Sequence, residues 1–295
     1  MTMIEIPPAW EALETARLRG TLMVVGAPDA GKSTFAQYLY QRLCAEVALA
    51  AYLDGDPGQS TLGPPAAMSL ALGLKGEANF PPRGRRWRSF VGAVSPAGHM
   101  LPVVVGAARL VQAAREAGAE AIIYDTSGMV DPERGGAALK LAKIDLLRPS
   151  VIFAIQRERE LEPWLIPLRR SRRVRVIDLP RSPAAGQRDT AARQTHRARQ
   201  FASYFRAARP VRVDWRRLAV FPAPRFRLDQ LAALEDVQGF ALGLGLVQES
   251  DSRARQVTLY TPLEALTRVD ALRLGDLVLD PQSFRDQRLV QERRA

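Results

Sequence analysis

The chain has 295 residues and a mass of 32.5 kDa, about two domains at roughly 150 residues each, so it is long enough for a substantial core. Apolar residues at 47% and charged residues at 25% lie near the globular average, which excludes wholesale disorder and a fibrous architecture. The balance of 42 basic against 31 acidic side chains, net +11, favours a polyanionic partner, while the single cysteine, Cys44, excludes an intrachain disulfide or a thiolate metal cluster.

In chain order, residues 1–20 form a lead-in in which Pro7-Pro8 precede a helical stretch through Trp10, Leu13 and Leu18, too short for a domain. Leu22-Met23-Val24-Val25 predicts an apolar strand, followed by a Gly26–Lys32 loop and a helix with apolar positions at Phe35, Leu39 and Leu43. Val47–Leu53 and Ala121–Tyr124 predict two more strands, each running into an aspartate, and Val151–Ile155 and Val174–Ile177 extend the pattern. Near-continuous apolar strands alternating with helices predict an α/β fold with a mostly parallel sheet covered on both faces, and the G-x-x-x-x-G-K-[ST] loop at residues 26–33, set between a strand and a helix, makes it a fold of the P-loop NTPase kind. Residues 63–101, rich in Pro, Gly and Arg, are expected to lie over the sheet edge or the site mouth.

Residues 181–209 carry seven arginines interleaved with Phe201, Tyr204 and Phe205, and predict a basic helix. From Pro210 onwards short Val/Leu/Phe runs, including Leu242–Val247, Val257–Tyr260 and Leu277–Leu279, predict a small β-rich domain. The organisation expected is therefore a lead-in over 1–20, a P-loop domain over 21–209 that includes the basic helix, and a β-rich domain over 210–295. No basic start followed by an apolar run marks a secretory leader. Pro102, Gly106 and Arg109 interrupt the best apolar window, so no membrane partner and a cytoplasmic location are expected.

Gly26-Ala27-Pro28-Asp29-Ala30-Gly31-Lys32-Ser33-Thr34 fits G-x-x-x-x-G-K-[ST] in full, between a strand and a helix. Backbone N–H groups of such a turn surround a β-phosphate while the helix N-terminus adds partial positive charge. Lys32 would then reach the β- and γ-phosphates, Ser33 Mg²⁺ and Thr34 the α-phosphate. Asn79 is the only asparagine, and it lies in no Asn-Lys-x-Asp element that would read guanine, so ATP is the expected nucleotide.

Parallel strands present ligands beyond their carboxyl ends, which should bring Asp54-Gly55-Asp56 and Asp125-Thr126-Ser127-Gly128 near the loop. Phosphoryl transfer needs an oriented acceptor and neutralised phosphate charge more than a strong base. Asp56 is assigned the acceptor alcohol, and either Asp54 or Asp125 the Mg²⁺, directly or through water; the sequence leaves that choice open. Arg193 and Arg197, four apart, would share one face of a helix and could grip phosphate with planar guanidinium groups. Arg85, Arg86, Trp87 and Arg88 are read as a nucleic-acid track in which the indole stacks on a base.

Together these segments resemble the Clp1/Grc3 family of polynucleotide 5′-hydroxyl kinases. Gly26–Thr34 resembles its phosphate loop and Asp54-Gly55-Asp56-Pro57-Gly58-Gln59-Ser60 its Asp-x-Asp-x-Gly-Gln segment. Asp125-Thr126-Ser127-Gly128-Met129 resembles its Thr-x-Gly-Trp clasp, with Met129 in place of the usual tryptophan. Arg188 followed by Arg193-Gln194-Thr195-His196-Arg197 resembles its arginine lid, and the similarity extends over about residues 20–282. The resemblance implies transfer of the γ-phosphate of ATP to the 5′-OH of RNA and/or DNA, with Mg²⁺. It places Asp56 near the acceptor hydroxyl, Gln59 and Thr126 near phosphate or metal, Gly128 in the clasp, Arg188 on the nucleic acid, and Arg193 and Arg197 on the transferring phosphate. The alternative is a nucleotide-gated scaffold for RNA processing; a P-loop ATPase without a nucleic-acid acceptor is a third possibility.

Overall fold

The protein was analysed as a computed structural model, which describes residues 6–77, 79–182, 186 and 189–289. Its described residues fall into two compact units. The first lies within Met1–Asp56, Met68–Arg86 and Pro96–Arg188; the second within Pro57–Ala67, Trp87–Ser95 and Asp189–Ala295.

In the first unit a short helix α1 (Pro8–Glu11) replaces the longer amino-terminal helix expected, because Pro7 and Pro8 start a single turn that seats Trp10 in the core and no second turn follows. Next come β1 (Gly20–Gly26), α2 (Lys32–Cys44), β2 (Leu49–Gly55) and β3 (Ala67–Leu74), then β4 (Arg86–Phe90), of which only Arg86 falls in the first unit. The run continues with α3 (Met100–Glu116), β5 (Ala121–Thr126), α4 (Gly136–Leu147), β6 (Val151–Ile155), α5 (Glu162–Ser171) and β7 (Arg175–Leu179). The sheet order is β4-β3-β2-β5-β1-β6-β7. β2, β5, β1, β6 and β7 are all parallel, and every residue of β5 and β6 is buried, as expected for strands covered on both faces.

The segment expected to lie over the sheet edge instead enters the sheet. Ala67–Leu74 is apolar and buried through Gly73, and it pairs antiparallel to β2 from Leu49 opposite Leu74 to Asp54 opposite Ser69. Its continuous apolar run was masked in the sequence by the Pro- and Arg-rich residues on either side.

The second unit contains α6 (Thr190–Tyr204), then β8 (Arg209–Asp214), β9 (Ala219–Phe221), β10 (Gln230–Glu235), β11 (Ala241–Asp251), β12 (Gln256–Thr261), β13 (Ala271–Leu279) and β14 (Asp286–Arg288). These strands form a sheet in the order β14-β13-β10-β11-β12-β8, with β9 beside β13. Asp189 caps α6 by accepting from the Ala192 N–H at 2.6 Å. Phe201 and Phe205 are buried among Leu231, Leu244 and Leu277, so the basic helix is pinned by aromatic side chains into the β-rich core. One turn before Phe201 on α6, Arg197 donates from Nε and Nη2 to the two carboxylate oxygens of Asp286 at 2.8 and 3.0 Å, in a pair only 13% and 7% exposed. Asp286→Ala is therefore expected to strand a buried guanidinium and to lower unfolding free energy by about 3–5 kcal/mol in a denaturant titration.

Candidate active site

The carboxyl ends of β1, β2 and β5 build the site in the first unit. β1 ends at Gly26 and passes into the loop, whose turn is closed by Gly31 at φ +93°, a left-handed conformation that favours glycine. Lys32, the first residue of α2, is 7% exposed and donates from Nζ to the Ala27 carbonyl at 2.8 Å. Burial lowers its pKa from the ordinary lysine value, and Asp125, Asp56 and Asp29 oppose that shift in decreasing order. Arg157, after β6, latches the outside of the loop by donating to the Pro28 and Asp29 carbonyls, both at 3.2 Å.

Parallel register places Asp54 of β2 directly beside Asp125 of β5, and Gly55 beside Thr126. Both aspartates are buried. Tyr52 donates its hydroxyl to Asp125 Oδ2 at 3.2 Å, whereas Asp125 Oδ1 is buried without a hydrogen-bond partner. Burial pushes the Asp125 carboxyl up to about 7; the neighbouring Asp54 and Asp56 add to the shift, and Ser33 and Lys32 oppose it. Asp56 follows β2 by one residue, is half-buried, and its N–H lies 3.4 Å from Asp54 Oδ1. The structure thus gathers Lys32, Ser33, Asp54, Asp56 and Asp125 at the carboxyl ends of adjacent strands.

Gly128 completes this grouping, since a Cβ there would stand 2.8 Å from the Cα of Pro28, so only glycine lets the segment after β5 pack on the phosphate loop. Thr126 is turned inward. Its hydroxyl donates to the Val24 carbonyl at 2.7 Å and accepts from Lys140 Nζ at 2.7 Å, which corrects the expectation that this side chain faces phosphate or metal.

Of the other expected residues, Gln59, Arg193 and Arg197 belong to the second unit, where Gln59 donates to the Gly58 carbonyl at 2.7 Å. Arg193 and Arg197 do sit one turn apart on α6, but the Nε–Nη2 edge of Arg197 is committed to Asp286, so a phosphate could meet only its Nη1 side. Arg188 lies outside the described residues. The arginine and indole track is corrected by strand alternation: Arg86 and Arg88 point to one side of β4 and Trp87, 9% exposed, to the other, where its ring is unavailable for stacking on a base.

Two residues of α4 escaped the sequence reading. Lys140 and Lys143 are fully buried, and Lys140 donates both to Thr126 Oγ1 and, at 2.5 Å, to the Ser127 carbonyl, fastening the segment that carries Gly128. Burial lowers the Lys140 pKa strongly, with Lys143 and Lys32 adding to the shift. Lys143 Nζ lies 5.1 Å from the Tyr124 ring centroid without a hydrogen-bond partner, and burial lowers its pKa to about 7. A signal was available. Only four lysines, Lys32, Lys75, Lys140 and Lys143, occur in a chain with 38 arginines, and a buried slot accepts a slim ammonium more readily than a planar guanidinium. Lys140→Met leaves the Ser127 carbonyl without that donor, so unfolding free energy is expected to fall by about 1–3 kcal/mol, read by chemical denaturation.

This geometry can be set beside known proteins. The profile of the mRNA cleavage and polyadenylation factor CLP1 P-loop family matches residues 26–207. A polyribonucleotide 5′-hydroxyl-kinase of Pyrococcus abyssi is 23% identical over 324 aligned positions, spanning 90% of each chain. One of Pyrococcus horikoshii is 30% identical over 155 positions, covering 52% of this chain and 42% of that protein. Among solved structures, Clp1p from a Clp1p–Pcf11p complex superimposes with a TM-score of 0.66 at 13% identity, over 89% of this chain and 75% of its own. A profile matching well over half the sequence, on a fold of the same kind, places the chain: it belongs to the CLP1 P-loop family.

Proposed function

We propose that the protein is an ATP-dependent polynucleotide 5′-hydroxyl kinase. The observation that carries this reading is the convergence of the loop lysine, Lys32, with Asp54, Asp56 and Asp125 at the ends of adjacent strands. Relatives named as polyribonucleotide 5′-hydroxyl kinases support the same chemistry and favour RNA as acceptor.

In this reading Asp56 accepts a hydrogen bond from the 5′-hydroxyl and holds its oxygen in line with the γ-phosphorus. As the new O–P bond forms and the bond between the γ-phosphorus and the β–γ bridging oxygen breaks, the hydroxyl proton passes to the Asp56 carboxylate and the bond pair leaves with ADP. Lys32 balances charge on the β- and γ-phosphoryl oxygens. The resemblance to the polynucleotide kinases, and not a contact between the units, assigns charge on the transferring group to Arg193 and the Nη1 side of Arg197. Lys140 holds Thr126 and Ser127 so that Gly128 stays packed on the loop.

Ser33, Asp54 and Asp125 offer an oxygen-only set, and the unpartnered buried Oδ1 of Asp125 suits a hard divalent cation such as Mg²⁺. No group of three or more His, Cys, Asp or Glu that could hold a metal ion occurs among the described residues. When bound, such a cation would neutralise phosphoryl charge. Gln59 is assigned to phosphate or metal by the family resemblance alone. No helix among the described residues is long and apolar enough to cross a membrane.

The test offers 5′-OH RNA and DNA oligomers with γ-labelled ATP, using 5′-phosphorylated oligomers as controls. Label on free hydroxyl ends alone is the expected result, with RNA preferred. ATP consumption with no labelled oligomer would instead support an ATPase or a nucleotide-gated scaffold.

A further inference from the structure

The second unit contains a cavity of about 460 Å³ whose lining includes no carboxylate. One wall is a stripe of α6 at His196, Arg199, Gln200 and Ser203, spaced i, i+3, i+4 and i+7, and extended by Tyr204. The others are Arg88 of β4 and the loop of residues 61–64. We propose that this cavity is a nucleotide subsite for the acceptor strand, taking one base and its adjoining phosphodiester away from the reacting 5′ end. The proposal rests on the kinase reading above and adds to it a site none of whose lining residues belongs to the catalytic group.

Three observations point to that ligand. Arg88 and Arg199 supply two permanent cations with no acid on the cavity wall, so the occupant is an anion. Tyr204 supplies an aromatic surface, with the Arg88 guanidinium 6.0 Å from its ring centroid, the pairing of π-face and cation that single-stranded nucleic acid uses. The walls are also fixed in place. Tyr204 Oη accepts the Leu244 N–H at 2.7 Å, and Gln200 donates to the Ser60 carbonyl at 2.8 Å, tying α6 to the loop opposite. The volume lies in the range of small-ligand sites, large enough for one nucleotide and too small for a duplex.

The experiment compares wild type with Arg88→Ala/Arg199→Ala in two readouts on the full chain. In the kinase assay the KM for a 5′-OH RNA 12-mer should rise about tenfold or more while kcat and the KM for ATP hold, the latter confirming that the variant folds. In fluorescence anisotropy a 5′-phosphorylated 12-mer, which cannot react, should bind the variant more weakly, with the salt slope reduced by about 0.7 for each strand phosphate that an arginine no longer neutralises. Arg199→Lys should restore part of the binding. An unchanged KM and unchanged binding would overturn the subsite, as would a fall in kcat at constant KM. Displacement of the 12-mer by an equal concentration of free AMP would also overturn it, because the ligand would then be a small nucleotide and not a strand. If wild type labels no oligomer the kinase reading fails, and the anisotropy arm still decides whether the cavity binds a strand.

Discussion

In a 5′-phosphorylation assay Asp56→Asn is expected to lower kcat by about 10²–10⁴-fold with little change in the KM for ATP. Asparagine keeps the volume and one acceptor oxygen of aspartate but loses the anion, so it can still sit after β2 yet cannot take the hydroxyl proton as the O–P bond forms. The position suits the test because Asp56 is half-buried and its backbone N–H, which the substitution leaves in place, lies close to Asp54 Oδ1, so a change in rate reads lost charge and not a moved loop. Nucleotide binding should persist, since Lys32 and the loop backbone are untouched. A variant with wild-type turnover would remove Asp56 from the acceptor site.

The second large effect concerns the phosphate loop. Lys32→Ala should reduce kcat by about 10²–10³-fold and also weaken ATP binding, because a single preorganised donor aimed at developing phosphoryl charge is worth that much in a water-poor site. Lys32 is already buried and bonded to the Ala27 carbonyl, so its removal also leaves a small cavity where burial had disfavoured the charge, and global stability should change much less than turnover. Lys32→Arg should fail as well, because the slot beside Ala27 is shaped for an ammonium. Nucleotide titration and single-turnover kinetics on the two variants separate lost binding from lost chemistry. Retention of both in Lys32→Ala would contradict the role.

The parallel core was legible because its strands are short apolar runs, two of them running into aspartate, and the loop because glycine, lysine and serine stand at fixed offsets on a strand-to-helix turn. Those are local signals, set by backbone conformation and by neighbours a few residues away. The resemblance to polynucleotide kinases rested on the same short segments. Burial of the Asp54 and Asp125 carboxylates could be anticipated only as far as both end adjacent strands.

Pairings between distant residues were not legible, because periodicity reports which face a side chain takes and not what it meets there. Arg197 and Asp286 are 89 residues apart, and only the packing of α6 against β14 turns an apparent phosphate ligand into half of a buried ion pair. Trp87 reads as a surface stacker beside three arginines until strand alternation in the folded sheet turns it inward. The sequence by itself determined the α/β core, the phosphate loop and the acidic strand ends, since each follows from short-range pattern. The tertiary structure alone decided that Lys140 secures Thr126 and Ser127, that residues 57–67 and 87–95 join the β-rich unit, and that α6 lines a basic cavity, because those depend on which buried surfaces the whole chain brings together.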